Sequence, residues 1–323
     1  MTPTISDADF IELWKKHKSA AKIAQIVGIG ERAIHKKRVA VQNRNGVLLQ
    51  SPDLKSPYHG GEILDINPIK KSHARIEIEV KNGVVIVGSD AHYLPGQITT
   101  AHRAFVKFCS DLKPRVVVLN GDIFDGGTIS RWPRIGWDNK PTVKQELDWC
   151  VARVDEIEKA CGNARKIWSL GNHDARFETK LAASSPEFQG VKGFALKDHF
   201  PSWMPCWSVF INNELVIKHR LANGVHATYN NTLKSGKSIC TGHLHAQQIT
   251  RFSDYNGTRY GVDAGMMSEP YSEAFSDYTE DNPVSWRSGF AVFTFIDGKL
   301  MPPEVVEVIG EGIVWFRGQR ISV

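Results

Sequence analysis

Residues 84–92 read VVIVGSDAH, four apolar β-formers followed by a small-residue break and then Asp90 and His92. A short, continuously apolar run of this kind predicts a strand buried on both faces, with polar groups at its carboxyl end. The pattern recurs. PRVVVLNGD (114–122) ends on Asp122, and RKIWSLGNHD (165–174) runs out through Asn172, His173 and Asp174. ELVIKH (214–219) ends on His219, and SICTGHLH (238–245) ends on His243 and His245. Helices are predicted between the first three runs, over about 99–112 and 144–160. In front lies an alternating strand, RIEIEVKNG (75–83). Behind come ITRFSDY (249–255), TRYGVDAG (258–265), GFAVFTFIDGKL (289–300) and PEVVEVI (303–309), with hairpin turns at Asn256-Gly257 and Asp297-Gly298. Alternating strands and helices followed by a strand-rich half predict an α/β architecture, a layered β-sandwich flanked by helices.

The first quarter is different. Three helices are predicted over 7–17, 20–27 and 31–41, with Ser19 as an N-cap and Gly28 as a stop. The last two, joined across a Gly-containing turn, resemble a helix-turn-helix, although Lys37 falls where that pattern wants an apolar residue. Residues 46–75, rich in Gly, Pro, Ser and Asn, read as a linker with at most short strands. The expected organisation is therefore a three-helix module at 1–45, a linker at 46–75 and a main domain at 76–323.

Bulk properties narrow the class. A chain of 323 residues, 41% hydrophobic and 23% charged, is an ordinary globular composition too long for one core. It has neither a signal-peptide pattern nor a membrane-length apolar stretch. Five scattered cysteines without a CxxC pair argue for a reducing, cytoplasmic setting and against a thiolate zinc site. The net charge of +5 is uneven: residues 1–75 hold 13 Lys/Arg against 7 Asp/Glu, whereas the remainder holds 27 against 28. The positive excess lies where a nucleic-acid contact would be favoured.

The strand-end residues carry the chemistry. Ligands bind at the carboxyl ends of strands in α/β sheets. On a strand, residues i and i+2 share a face, so Asp90 and His92, and likewise His243 and His245, are expected to point together. Carboxylates mixed with imidazoles suit Mn²⁺, Fe²⁺, Zn²⁺ or Co²⁺. A single strand-end histidine is commonly structural; five such pieces in order are a pattern.

The succession SDAH, NGDIFD, LGNHD, IKH and TGHLH resembles the five signature motifs of the calcineurin-like metallophosphoesterase superfamily, over about residues 83–300. The resemblance implies that Asp90, His92 and His245 hold one metal and Asn172, His219 and His243 the other. Asp122 would bridge them. It also implies that His173 faces the scissile phosphate, polarised by Asp174. The fourth motif departs from the family's usual His-Gly, reading His219-Arg220, and His226 in NGVH competes with His219 as the ligand. Asp125 is open between supporting a ligand, lining the cleft and capping a turn. Two metals about 3.5–4 Å apart polarise phosphoryl oxygens and lower the pKa of a bridging water, the attacking hydroxide expected here. Mn²⁺ is the first expectation, with Mg²⁺, Zn²⁺, Fe²⁺, Co²⁺ or Ni²⁺ as alternatives.

Two features bear on the substrate. The third helix carries Arg32, His35, Lys36, Lys37 and Arg38, suited to phosphates or bases; the alternative is a helical cap or assembly module. The loop GGTISRWPRIGWDNKP (126–141) places Arg131, Trp132, Arg134 and Trp137 beyond the bridging aspartate, suited to phosphate contact with base stacking; the alternative is a lid with packed tryptophans. Arg176 stands close enough to the metals to touch a substrate phosphate. These point to a nuclease acting on DNA, and the layout resembles phage- or prophage-encoded metallophosphoesterases. A homodimer fits, as for repair nucleases of the superfamily. The competing readings are a phosphatase or cyclic-nucleotide phosphodiesterase with a small or phosphoprotein substrate, and a DNA-binding protein with a vestigial metal site.

Overall fold

The structure is a computed structural model that describes residues 5–50, 74–131, 140–272, 275, 279–280 and 282–323. The chain forms two compact units, 1–70 and 71–323. The linker segment 51–73 and the loop residues Trp132, Arg134 and Trp137 lie outside the described residues.

The first unit contains α1 (Asp7–His17), α2 (Ala20–Val27) and α3 (Glu31–Asn45). Ser6 and Ser19 cap the first two by accepting from the amides of Asp9 and Lys22, and Gly28 ends α2 at φ 72°. The third helix runs past residue 41 because nothing stops it until Gly46 turns left-handed at φ 62°. Phe10, Trp14, Ile23, Ile34, Val41 and Leu49 form the core. Lys37 is not anomalous there. Its Nζ donates to the Ile5 carbonyl at 2.7 Å and lies 3.8 Å from Asp7. The Arg38 guanidinium stands 5.2 Å from the Trp14 ring centroid. Lys37 and Arg38, expected as nucleic-acid contacts, are thus engaged inside the unit, whereas Arg32, His35 and Lys36 are exposed.

The second unit opens with β1 (Arg75–Ile78), β2 (Gly83–Gly88), α4 (Thr100–Leu112), β3 (Val116–Leu119), α5 (Val143–Cys161), β4 (Arg165–Ser169) and α6 (Ala175–Ser184). It continues with β5 (Met204–Cys206), β6 (Ser208–Ile211), β7 (Leu215–Ile217), α7 (Ala227–Ser235), β8 (Ser238–Thr241), β9 (Gln248–Asp254) and β10 (Gly257–Asp263). The closing strands are β11 (Gly289–Ile296), β12 (Lys299–Leu300), β13 (Glu304–Gly310), β14 (Ile313–Phe316) and β15 (Gln319–Ser322). They assemble into a six-stranded sheet, β1-β6-β7-β8-β10-β9, and a nine-stranded sheet, β15-β14-β13-β11-β2-β3-β4-β5 with β12 on β11.

Alternation along β2 shows how the layers form. Val85 and Val87 join Val118, Ile167, Val209, Ile217 and Phe293 in the core between the sheets. Ile86 faces the other way, into a core with Phe105 and Phe108 of α4 and Val154 and Ile157 of α5. The central strands are therefore covered on both faces, which is why they read as unbroken apolar runs. A Thr142/Gln145 capping box starts α5 and Thr99 caps α4. All five cysteines are buried and free. Among the described residues no helix is long and apolar enough to cross a membrane.

Candidate metal centre

Strands β2, β3 and β4 run parallel, as do β7 and β8 in the facing sheet, so their carboxyl ends gather on one edge of the sandwich. The polar residues do not sit on the strands themselves. Asp90 and His92 follow the last residue of β2, Gly88, and His243 and His245 follow the last residue of β8, Thr241. Strand alternation therefore does not align these pairs, contrary to the i, i+2 expectation. Left-handed backbone does: φ is 54° at Asp90, 39° at His92, 52° at Asp122, 70° at His243 and 58° at His245. Such conformations persist in non-glycine residues only where surrounding contacts fix them, and they collect at functional sites. The contacts are present. The amides of Asp90 and His92 donate to the carbonyls of Gly121 and Asp122 at 3.0 and 2.9 Å, and the His243 amide donates to Asp90 Oδ2 at 2.9 Å. Gly121 has to be glycine, because a Cβ there would stand 2.6 Å from His219 Cγ and 2.8 Å from Gly171 Cα.

Three groups of side chains result, each with ligand atoms within 4.8 Å of one another: Asp90, His92 and His245; Asp122, His219 and His243; and His92, Asp125 and His173. Asp90 Oδ1 lies 3.1 Å from His245 Nε2 and 4.0 Å from His92 Nε2. Asp122 Oδ2 lies 3.1 Å from His219 Nε2 and 3.9 Å from His173 Nε2. His219 ends the turn after β7 and is buried, whereas His226 is an exposed residue at the start of α7, outside all three groups.

The donor set fits divalent cations. His92 Nε2, His219 Nε2, His245 Nδ1 and Asn172 Oδ1 are buried atoms that make no hydrogen bond. Leaving such groups bare costs on the order of 1–3 kcal/mol each, which coordination would relieve. The opposite ring nitrogens are tied down, His219 Nδ1 to the Asn120 carbonyl at 2.8 Å and His92 Nδ1 to Asp125 at 3.1 Å. With Nδ1 so engaged, Nε2 of each ring is the nitrogen left to meet a metal once it is free of a proton.

Charge follows the same plan. Burial would raise Asp90, but the charges of His245 and His219 bring it down to about 2. Burial likewise opposes ionisation of Asp122, and His219 holds it far below the usual range. Burial works against the His219 imidazolium too, yet Asp90 and Asp122 lift it to about 10. His243, desolvated and beside His219, falls to about 4. Without metal, His219 therefore carries a proton at pH 7.5 and His243 does not. Coordination needs neutral imidazole, so metal uptake at pH 7.5 is expected to release about one proton, from His219. Titration calorimetry in buffers of different ionisation enthalpy reads this number. Apparent affinity should also rise about tenfold per pH unit from 7 to 9.

One expected role is corrected. Asp174 does not touch His173. Fully buried, its carboxylate accepts from the amides of Asp122, Ile123, Phe124 and Gly171 and from Trp168 Nε1, at 2.9–3.2 Å. It sits at the N-terminus of α6 with helical backbone, which turns its side chain down into the strand-end loops. The partner of His173 is Asp125, whose Oδ1 accepts from His173 Nδ1 at 2.7 Å as well as from His92. Burial would raise Asp125, but these two hydrogen bonds keep it well below the carboxylate range. Arg176 completes the cluster, with one guanidinium nitrogen 3.0 Å from His173 Nε2 and another donating to the Asp125 carbonyl at 2.8 Å.

Two aromatic residues escape the sequence motifs. Phe275 meets the rings of His92 and His245 edge-on at 5.3 and 6.0 Å, and Trp286 meets His245 at 4.6 Å. They come from the segment between β10 and β11, where no periodic pattern marks them. Of the expected substrate loop, Arg131 is exposed at the end of a short 3₁₀ turn (Gly127–Ile129).

Two adjacent carboxylate–imidazole clusters on the strand-end edge of an α/β sandwich define a metal-dependent phosphoesterase. Residues 83–247 match the calcineurin-like phosphoesterase family, and the chain belongs to it. It is 26% identical over 260 residues to the gene 54 protein of Mycobacterium phage L5, a match covering 72% of this chain and 98% of that one. The gene 54 protein of Mycobacterium phage D29 is 24% identical over the same shares. Among solved structures, Vps29 of Entamoeba histolytica matches 74% of this chain and 98% of its own, at 13% identity and a TM-score of 0.39. A serine/threonine phosphatase of Saccharomyces cerevisiae matches 74% and 85%, at 13% identity and a TM-score of 0.37.

Proposed function

We propose that this phosphoesterase is a nuclease that hydrolyses DNA phosphodiester bonds with two divalent cations, Mn²⁺ foremost. In this reading Asp90, His92 and His245 hold one cation, Asn172, His219 and His243 hold the other, and Asp122 lies between them. The cations supply Lewis acidity and an activated water. His173, oriented by Asp125, stabilises the charge developing on the leaving oxygen and donates a proton to it. Arg176 neutralises a non-bridging phosphate oxygen.

The observation that carries the nucleic-acid reading is the rim of the centre, cationic and aromatic at once. Arg176 abuts His173 on one side, and the Trp286–Phe275 pair, 5.4 Å apart, walls the His92/His245 side. Phe275 is buried, so the half-buried Trp286 is the ring placed to stack on a base while cations take phosphates. The exposed Arg32, His35 and Lys36 on α3 add a second basic surface.

The purified chain with Mn²⁺ is expected to cut single-stranded, nicked or linear duplex DNA, followed on denaturing gels. Hydrolysis of bis-p-nitrophenyl phosphate with every nucleic-acid form left intact would replace this reading with a small-substrate phosphodiesterase. Reversing charge at both Arg32 and Lys36 (R32E/K36E) should weaken DNA binding and flatten its log–log salt dependence by about two. Unchanged anisotropy titrations would remove α3 from the interface.

A further inference from the structure

Arg220 directly follows His219, at the position where the family's fourth motif usually has glycine. Its backbone is pinned on both sides. The His219 carbonyl accepts from the Gly242 amide at 2.9 Å, and the Ala222 amide donates at 2.7 Å to Oδ1 of Asn231, a buried residue of α7. The Lys218 carbonyl accepts from Asn120 Nδ2 at 3.3 Å. A long cationic side chain is thus mounted on a fixed point beside the His219/His243 cluster. Arg220 is exposed, and among the described residues its guanidinium has no hydrogen bond or ion pair.

Its position complements Arg176. That residue borders the His92/His173 side of the centre, whereas Arg220 borders the His219/His243 side. A polynucleotide with its scissile phosphorus over the centre carries neighbouring phosphates on both flanks, one nucleotide away. A simple phosphodiester carries none. An unpaired guanidinium on a rigid turn suits a flanking phosphate, which it can grip with two parallel hydrogen bonds.

We infer that Arg220 forms a subsite for a phosphate one nucleotide removed from the scissile bond, on the His219/His243 side of the centre. The inference rests on the nuclease reading and adds to it a reason for a polymeric substrate. His243 also feels the Arg220 charge, so an effect through the metal centre has to be separated from an effect on substrate.

The full-length protein with saturating Mn²⁺ is compared as wild type, Arg220→Gly, Arg220→Gln and Arg220→Lys, on a short single-stranded oligonucleotide and on bis-p-nitrophenyl phosphate. For the glycine and glutamine variants, KM for the oligonucleotide should rise about tenfold more than KM for the simple diester. The salt dependence of oligonucleotide KM should flatten by about one on a log–log plot. Arg220→Lys should recover part of the loss. Equal losses on both substrates would assign Arg220 to the metal centre and overturn the subsite. A wild type that cuts the oligonucleotide while all three variants match it would overturn the subsite alone. A wild type that cuts no nucleic acid would overturn the nuclease reading, and the subsite with it.

Discussion

Replacing Asp122 with asparagine is expected to lower turnover of bis-p-nitrophenyl phosphate by about 10³-fold or more, with saturating Mn²⁺ unable to restore it. Asp122 lies 3.1 Å from His219 and 3.9 Å from His173, and the proposed function has it link the two cations. Its other oxygen accepts from the His173 amide at 2.8 Å and so holds the loop carrying Asn172 and His173. Asparagine keeps the volume and that acceptor but removes the charge. The loss then reports the cation-binding role rather than collapse of the loop. Calorimetry should find fewer than two Mn²⁺ bound per chain, with the melting temperature little changed. Retention of a tenth or more of wild-type turnover, or of two full-affinity Mn²⁺ sites, would show that Asp122 does not link the cations.

The residues that gather on the strand-end edge were legible in the sequence because they follow apolar runs at short spacing, and those runs are buried. The means by which those residues converge was not. The i, i+2 rule gave Asp90 and His92 a shared face for the wrong reason, since both lie beyond β2 in left-handed turns set by contacts with residues 121 and 122. The same limit explains the misplaced partner of His173. Asp174 is adjacent in sequence, but chain adjacency says nothing of direction at a helix start; Asp125, 48 residues earlier, reaches His173 across the strand-end edge. Helices α6 and α7 and the hairpin of β14 and β15 lacked a strong local signal. The hairpin turns at Arg317-Gly318, both at positive φ, where an Asn-Gly or Asp-Gly pair would have announced it. Phe275 and Trp286 come from an aperiodic segment and become part of the site only when β10 and β11 are placed in different sheets.

Two aspartates 49 positions apart in the chain, Asp125 and Asp174, should fail in opposite ways when each is changed to asparagine. Asp125 is half-buried, and its carboxylate organises two imidazoles, those of His173 and His92. An amide at that position can present an N–H to a ring nitrogen that must itself donate, so His173 loses its fixed tautomer and orientation. Turnover should drop about 10²–10³-fold, with little change in melting temperature. Asp174 is enclosed by five donors. Burial and the neighbouring Asp122 charge raise it to about 6 against those donors, so it is mainly ionised at pH 7.5. Asparagine there turns its NH₂ toward N–H groups that have no other acceptor, and each orphaned donor costs about 1–3 kcal/mol. With several affected, the loss is about 3–5 kcal/mol and the melting temperature falls on the order of 10 °C. Whatever Asp174→Asn protein remains folded should lose less turnover per active site than Asp125→Asn, since this carboxylate meets backbone amides and Trp168 rather than His173. Thermal melts read beside active-site-normalised kinetics separate the two. A stable, inactive Asp174→Asn with an active Asp125→Asn would return the polarising role to Asp174.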